Sequence, residues 1–117
     1  MIEIQKAITS LLKTIHERVY FENAEKNATF PYIVYNLPYS NNEKPEIITL
    51  EINGWDKSES TIALDTLMSQ INDELDKKTI YIGGKVACTI FRETRNNVED
   101  PDQRFKRRRY TYQIRSF

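Results

Sequence analysis

Ile4, Ala7, Ile8, Leu11, Leu12 and Ile15 follow one another at steps of three, one, three, one and three. That spacing lays a single apolar face along a helix and predicts one from Ile2 to Thr14 or His16. RVYF then reads as a short strand and ENAEKNAT as a polar turn. FPYIVYNLPY is aromatic, β-branched and bounded by prolines. Pro31 suits the first residue of a strand, and Pro38 suits its exit or an edge position. After a polar loop, SNNEKP, the run EIITLEING alternates. Ile48, Leu50 and Ile52 share one face, and Thr49, Glu51 and Asn53 share the other, which predicts a half-buried strand ended by Trp55.

Asp56 is placed to cap a second helix, with Glu59 three residues on as its reciprocal partner. Leu64, Leu67, Met68, Ile71 and Leu75 make the apolar stripe of that helix, while Asp65, Gln70, Asp73 and Glu74 face elsewhere. TIYIGGKVACTIFRETR predicts a hairpin turning at Gly83-Gly84, because glycine accepts the positive φ of a tight turn. Val86, Cys88 and Ile90 share one face of its longer strand. NNVEDPDQ reads as an acidic turn or extended loop. The closing segment, RFKRRRYTYQIRSF, divides as a strand does. Arg108, Tyr110, Tyr112 and Ile114 point one way; Arg107, Arg109, Thr111, Gln113 and Arg115 point the other.

Helix, strands, helix, hairpin and strand, joined by short turns, predict an α+β fold. The expected architecture is a largely antiparallel β-sheet with two helices packed on one face, as a single domain over residues 1–117. A chain of 117 residues is long enough for one unstapled core. No apolar run approaches the ~20 residues of a membrane span. The N-terminal residues alternate charge with apolar side chains, unlike a signal peptide. With one cysteine, no internal disulfide is possible, and a reducing, intracellular setting is expected.

Lys plus Arg and Asp plus Glu are both 17, so the net charge is zero. This bears on the last segment, where six basic residues and no acid are interleaved with tyrosines, a pattern that nucleic-acid binders share. Nonspecific binders rely on a strong positive excess to neutralise phosphates, and this chain has none. Tyr110 and Tyr112 share their face with Ile114, so core packing explains them without stacked bases. No catalytic, cofactor-binding or metal-ligating set is present in the pattern. His16 has no nucleophile beside it, Cys88 lies on an apolar face, and Gly83-Gly84 lacks the lysine and strand-to-helix context of a phosphate loop. No enzymatic activity is expected.

The order of elements resembles one family across nearly the whole chain. A short helix leads to Phe30-Pro31-Tyr32 with Val34-Tyr35. Then come the strand ending at Trp55-Asp56, an amphipathic helix, a hairpin, an EDPDQ loop and a basic-aromatic last strand. This layout is similar to that of the tail completion, or tail terminator, proteins that join heads to tails in long-tailed bacteriophages and prophages. The resemblance implies a structural, non-enzymatic protein without cofactors. It implies a ring of copies, commonly a hexamer, that caps the head-proximal end of the tail tube, ends its growth and docks the head connector. The implied partners are further copies of itself, the tail tube protein and the connector proteins, with DNA only in transit through the ring and no membrane. The implied location is the host bacterial cytoplasm during assembly and the virion neck afterwards. Alternatives are another small neck protein, such as a head-completion or connector-adaptor protein, or a small nucleic-acid-binding protein using the basic last strand.

A ring subunit offers a different surface to each neighbour, and a neutral chain with segregated charges can place opposite signs across that joint. The expected cations are Arg107, Arg109 and Arg115, whose planar guanidinium groups pair carboxylates bidentately. The expected acids, on a neighbouring copy or on the connector, are Asp65, Asp73 and Glu74 of the second helix or Glu99, Asp100 and Asp102 of the loop. A solvated face with pairing inside one subunit is the other possibility.

Overall fold

The computed structural model of the chain describes residues 2–40, 46–82, 86–99, 102 and 104–116. The elements run α1 (Ile2–Lys13), β1 (Val19–Phe21), β2 (Tyr32–Ser40), β3 (Glu46–Lys57), α2 (Ile62–Leu75), β4 (Thr79–Ile82), β5 (Val86–Val98) and β6 (Phe105–Ser116). They form an α+β fold around one six-stranded sheet ordered β1-β2-β3-β6-β5-β4. Every neighbouring pair is antiparallel except β1 and β2. The last strand of the chain therefore lies inside the sheet, between β3 and β5.

Alternation decides which strand residues meet the helices. Ile33 and Tyr35 of β2, Ile48, Leu50 and Ile52 of β3, Cys88 and Ile90 of β5, and Tyr110, Tyr112 and Ile114 of β6 are buried. They form one core cluster with Ile8 and Leu12 of α1 and with the Leu64, Leu67, Met68, Ile71 and Leu75 stripe of α2. Tyr35 and Tyr112 can be buried because their hydroxyls find partners. Tyr35 donates to the Gln5 carbonyl at 2.9 Å and bonds to the Thr9 hydroxyl, and Tyr112 donates to Asn72 Oδ1 at 3.1 Å. Gly54 lets α2 approach β3: a Cβ there would lie 2.7 Å from Met68 Sδ and 2.9 Å from Leu64 Cδ1.

Three expectations are corrected. Asp56 does not cap α2; it is a buried residue of β3, paired with Lys106, and its carboxylate accepts from the Lys57 amide at 2.8 Å. The helix starts later, at Ile62, with Thr61 as its N-cap and no side-chain cap bond. Trp55 does not end its strand, because β6 continues alongside and pairs β3 through Lys57. Asn96, Asn97 and Val98 are not loop but the end of β5, held against Arg109, Arg108 and Arg107 of β6. Pro38 falls where β2 has outrun β1 and its register against β3 shifts, a place where its missing N–H does no harm. The expected Gly83-Gly84 turn, the Val86 side chain, and residues 41–45 of the SNNEKP loop lie outside the described residues.

Candidate interaction surface

On β2, β3 and β6 the residues that alternate with the core-facing set form a second row, most of it half-buried. Register lines these rows up. Arg107 of β6 sits opposite Trp55, Arg109 opposite Asn53, Thr111 opposite Glu51, Gln113 opposite Thr49, and Arg115 opposite Ile47 of β3. On the far side of β3, Tyr32 faces Trp55, Val34 faces Asn53 and Asn36 faces Glu51 of β2. Sequence-distant residues thus share one surface.

The arginines expected at an interface lie on it, held by neighbours in the same sheet. Arg107 donates from Nε and Nη2 to Asn53 Oδ1 at 3.1 and 2.9 Å, and its guanidinium lies 4.6 Å from the centre of the Trp55 ring. Arg109 Nε is 3.5 Å from Glu51 Oε1 and donates to Asn53 Oδ1 at 3.4 Å. Arg115 bonds Gln113 Oε1 and lies over Phe91. The amides of Asn53 and Gln113 tether Arg107 and Arg115 without cancelling their charge, whereas the Glu51 carboxylate partly offsets that of Arg109.

The expected acids are dispersed. Asp65, half exposed on α2, accepts from Arg108 Nε at 2.8 Å; Arg108, on the core-facing row, keeps only 14% of its side chain exposed. Asp102 accepts from Arg104 at 2.7 Å, and the Arg104 hydrogen bonds hold its carboxyl at about 2, below the usual carboxylate range. Asp73 and Glu74 are exposed on α2, lining with Thr14, Ile15 and Gln70 a hollow of about 350 Å³. Glu99 is exposed just past β5. Asp100 lies outside the described residues.

What sequence reasoning missed is an aromatic chain across the same surface. Tyr20 meets Tyr32 edge-on at 6.1 Å, and Phe30 meets Tyr32 at 5.1 Å and Phe105 at 5.7 Å. Tyr32 stacks beside Trp55 at 6.5 Å, and Lys57 lies over Phe105. Burial raises the Tyr32 hydroxyl's pKa, with the positive charge of Arg107 pulling the other way. Tyr32, Val34, Trp55, Asn36, Glu51, Asn53 and Arg107 line a hollow of about 290 Å³. Asn36 Oδ1 is buried beside it with no hydrogen-bond partner among the described residues. The one signal for this cluster in the sequence was alternation itself, which sets Tyr32 opposite in phase to buried Ile33.

Such a surface suits binding to another protein. Trp, Tyr and Arg together are the residues that anchor protein interfaces. Arg107 over Trp55 and the neighbouring Tyr32 already occupy ring surface that a stacked base would need. His16 is structural: its Nε2 donates to the Pro31 carbonyl at 2.8 Å and ties α1 to the start of β2. Cys88 is buried in the core. Among the described residues, no group of three or more His, Cys, Asp or Glu side chains is arranged to hold a metal, and no helix is long and apolar enough to cross a membrane.

A family model described as tail completion protein gp17 matches residues 4–116. No curated protein matches the chain. Among solved structures, a chain from the virion of a native gene transfer agent particle aligns with a TM-score of 0.69. The alignment covers 97% of this chain and 90% of that one at 9% sequence identity, which shows a common fold.

Proposed function

The chain belongs to the tail completion protein family, which makes it a structural protein of a phage tail, and on that premise we propose that it closes the tail as a hexameric ring. The ring caps the head-proximal end of the tail tube, stops its growth and gives the head connector a surface to dock on. DNA crosses the ring only in transit. Assembly takes place in the host bacterial cytoplasm, and the finished ring resides in the virion neck.

The observation that carries this proposal is the match of the family model to residues 4–116, nearly the entire chain. Further support comes from the sheet. The row that alternates with its core-facing residues offers partners an arginine and aromatic surface built from Arg107, Arg109, Arg115, Tyr32 and Trp55. Asp73, Glu74 and Glu99 are acids of opposite sign on a neighbouring copy, and Asp100 adds to them. Asp65 and Asp102 join them with Arg108 and Arg104 as local companions. The test is negative-stain microscopy of the purified chain mixed with growing tail tubes. A ring at one end of each tube and tubes of uniform length are expected. Tubes that lengthen unchecked with no cap would refute the proposal.

A further inference from the structure

Two arginines of β5 have no part in the surface described above. Arg92 and Arg95 are three residues apart, a spacing that sets side chains on opposite faces of a regular strand. Here they share one face. The register slips between Arg92 and Thr94, so Glu93 is the extra residue of a bulge, and Arg92 falls opposite Tyr112 while Arg95 falls opposite Tyr110. Both are thereby turned to the side of the sheet that carries α2. Burial raises the pKa of the Tyr112 hydroxyl, and the charges of these two arginines pull it back, so both lie near it. Yet both residues remain exposed, and among the described residues neither guanidinium has a hydrogen bond or an ion pair.

Their counterpart lies on the other flank of α2. Asp65, Asn72 and Asp76, seven and four residues apart, line the flank that meets Arg108, the Tyr112 hydroxyl and the Arg92 amide. Gln70 and Glu74 stack four apart on the flank toward α1, and with Asp73, Thr14 and Ile15 they line the hollow of about 350 Å³. Asp73 and Glu74 are exposed and likewise without an ion pair among the described residues. Within one subunit the helix separates these acids from the two arginines; a second copy alongside brings the two sets together. Each copy then gives its arginines to one neighbour and its acids to the other, the head-to-tail contact that a ring repeats. From these features we infer that Arg92 and Arg95 of one copy enter the Asp73–Glu74 hollow of the next. A guanidinium suits this hollow, because its planar fork meets a carboxylate bidentately while its stem covers apolar surface such as Ile15. The inference rests on the ring proposed above and names the joint between its subunits.

The experiment uses the two-sided nature of the contact. Sedimentation over a concentration series compares wild type, Arg92→Glu with Arg95→Glu, Asp73→Lys with Glu74→Lys, and an equimolar mixture of these two double variants. The milder Arg92→Gln with Arg95→Gln removes charge without reversing it, and Lys6→Glu with Lys26→Glu controls for net charge. Circular dichroism should stay unchanged throughout, because every altered side chain is exposed. Wild type should associate, less tightly at high salt. Each reversed variant alone should associate about a hundredfold more weakly, since like charges then meet across the joint, and the Gln variant roughly tenfold more weakly. The mixture should regain association, because every joint of an alternating ring again sets opposite charges together. The lysine control should behave as wild type does. Rings that form equally well from either reversed variant or from the Gln variant, a mixture that stays apart, or an equal loss in the lysine control would overturn this joint and leave the ring intact. A wild-type chain that stays monomeric at every concentration would overturn both.

Discussion

Tyr112 is wholly buried, and desolvation raises the pKa of its hydroxyl above the ordinary phenol value. The folded state therefore favours the protonated form. Its contribution is complete below the unfolded pKa of about 10 and is lost as pH climbs past that value, by up to about 1.4 kcal/mol per pH unit. Tyr35 acts with the same sign. Unfolding by urea at pH 8, 10 and 11 should show wild type losing stability above pH 10 and Tyr112→Phe losing less. At pH 8 the Phe variant should be weaker by about 0.5–1.5 kcal/mol, the net worth of the bond to Asn72. Equal slopes for the two proteins would remove Tyr112 as the source. Its burial was legible in advance, because Tyr110, Tyr112 and Ile114 alternate with polar residues. Asp56 was not: Asp-x-x-Glu before an apolar stripe looks the same whether the acid caps the helix or ends the preceding strand. Pairing with Lys106, fifty residues on, decides the matter, and no local pattern carries that information.

Elements show the same division between local and distant causes. The α2 stripe is a period repeated over the whole helix, and its buried residues are those the period selects. The end of β5 is the opposite case. Asparagine is depleted in strands, so Asn96-Asn97 favours a loop by composition, yet β6 beside it supplies a backbone ladder that overrides the preference. The contact of α2 with β3 depends on Gly54, whose neighbours Met68 and Leu64 are fully buried and have little room to retreat. Gly54→Ala should therefore destabilise the fold by about 1–3 kcal/mol, the usual cost of overpacking a filled core, read as a lower urea midpoint with an unchanged slope. A neutral or stabilising result would mean that α2 is free to shift outward. Alternation marks Tyr32 as facing away from the core, but which aromatics meet it was hidden for the reason that hid the role of Asp56. Phe30, Trp55 and Phe105 come from three strands or their approaches, and register alone brings them together.

At the scale of the whole molecule, zero net charge coexists with a sheet surface rich in arginine and a second helix rich in exposed acid. Opposite signs sorted onto separate surfaces favour head-to-tail contact between copies over binding to a polyanion. The purified chain should accordingly retain no oligonucleotide at physiological salt. Tight retention there, falling steeply with added salt, would instead mark a phosphate-binding surface. The arginine surface is the center of the account, and the most direct measurement compares wild type with the Arg107→Glu, Arg109→Glu double variant. Both are incubated with isolated tail tubes and examined by native mass spectrometry and microscopy, with circular dichroism to verify folding. The account predicts hexameric caps on tubes from wild type and a folded but uncapping double variant. A double variant that caps tubes as wild type does would contradict it.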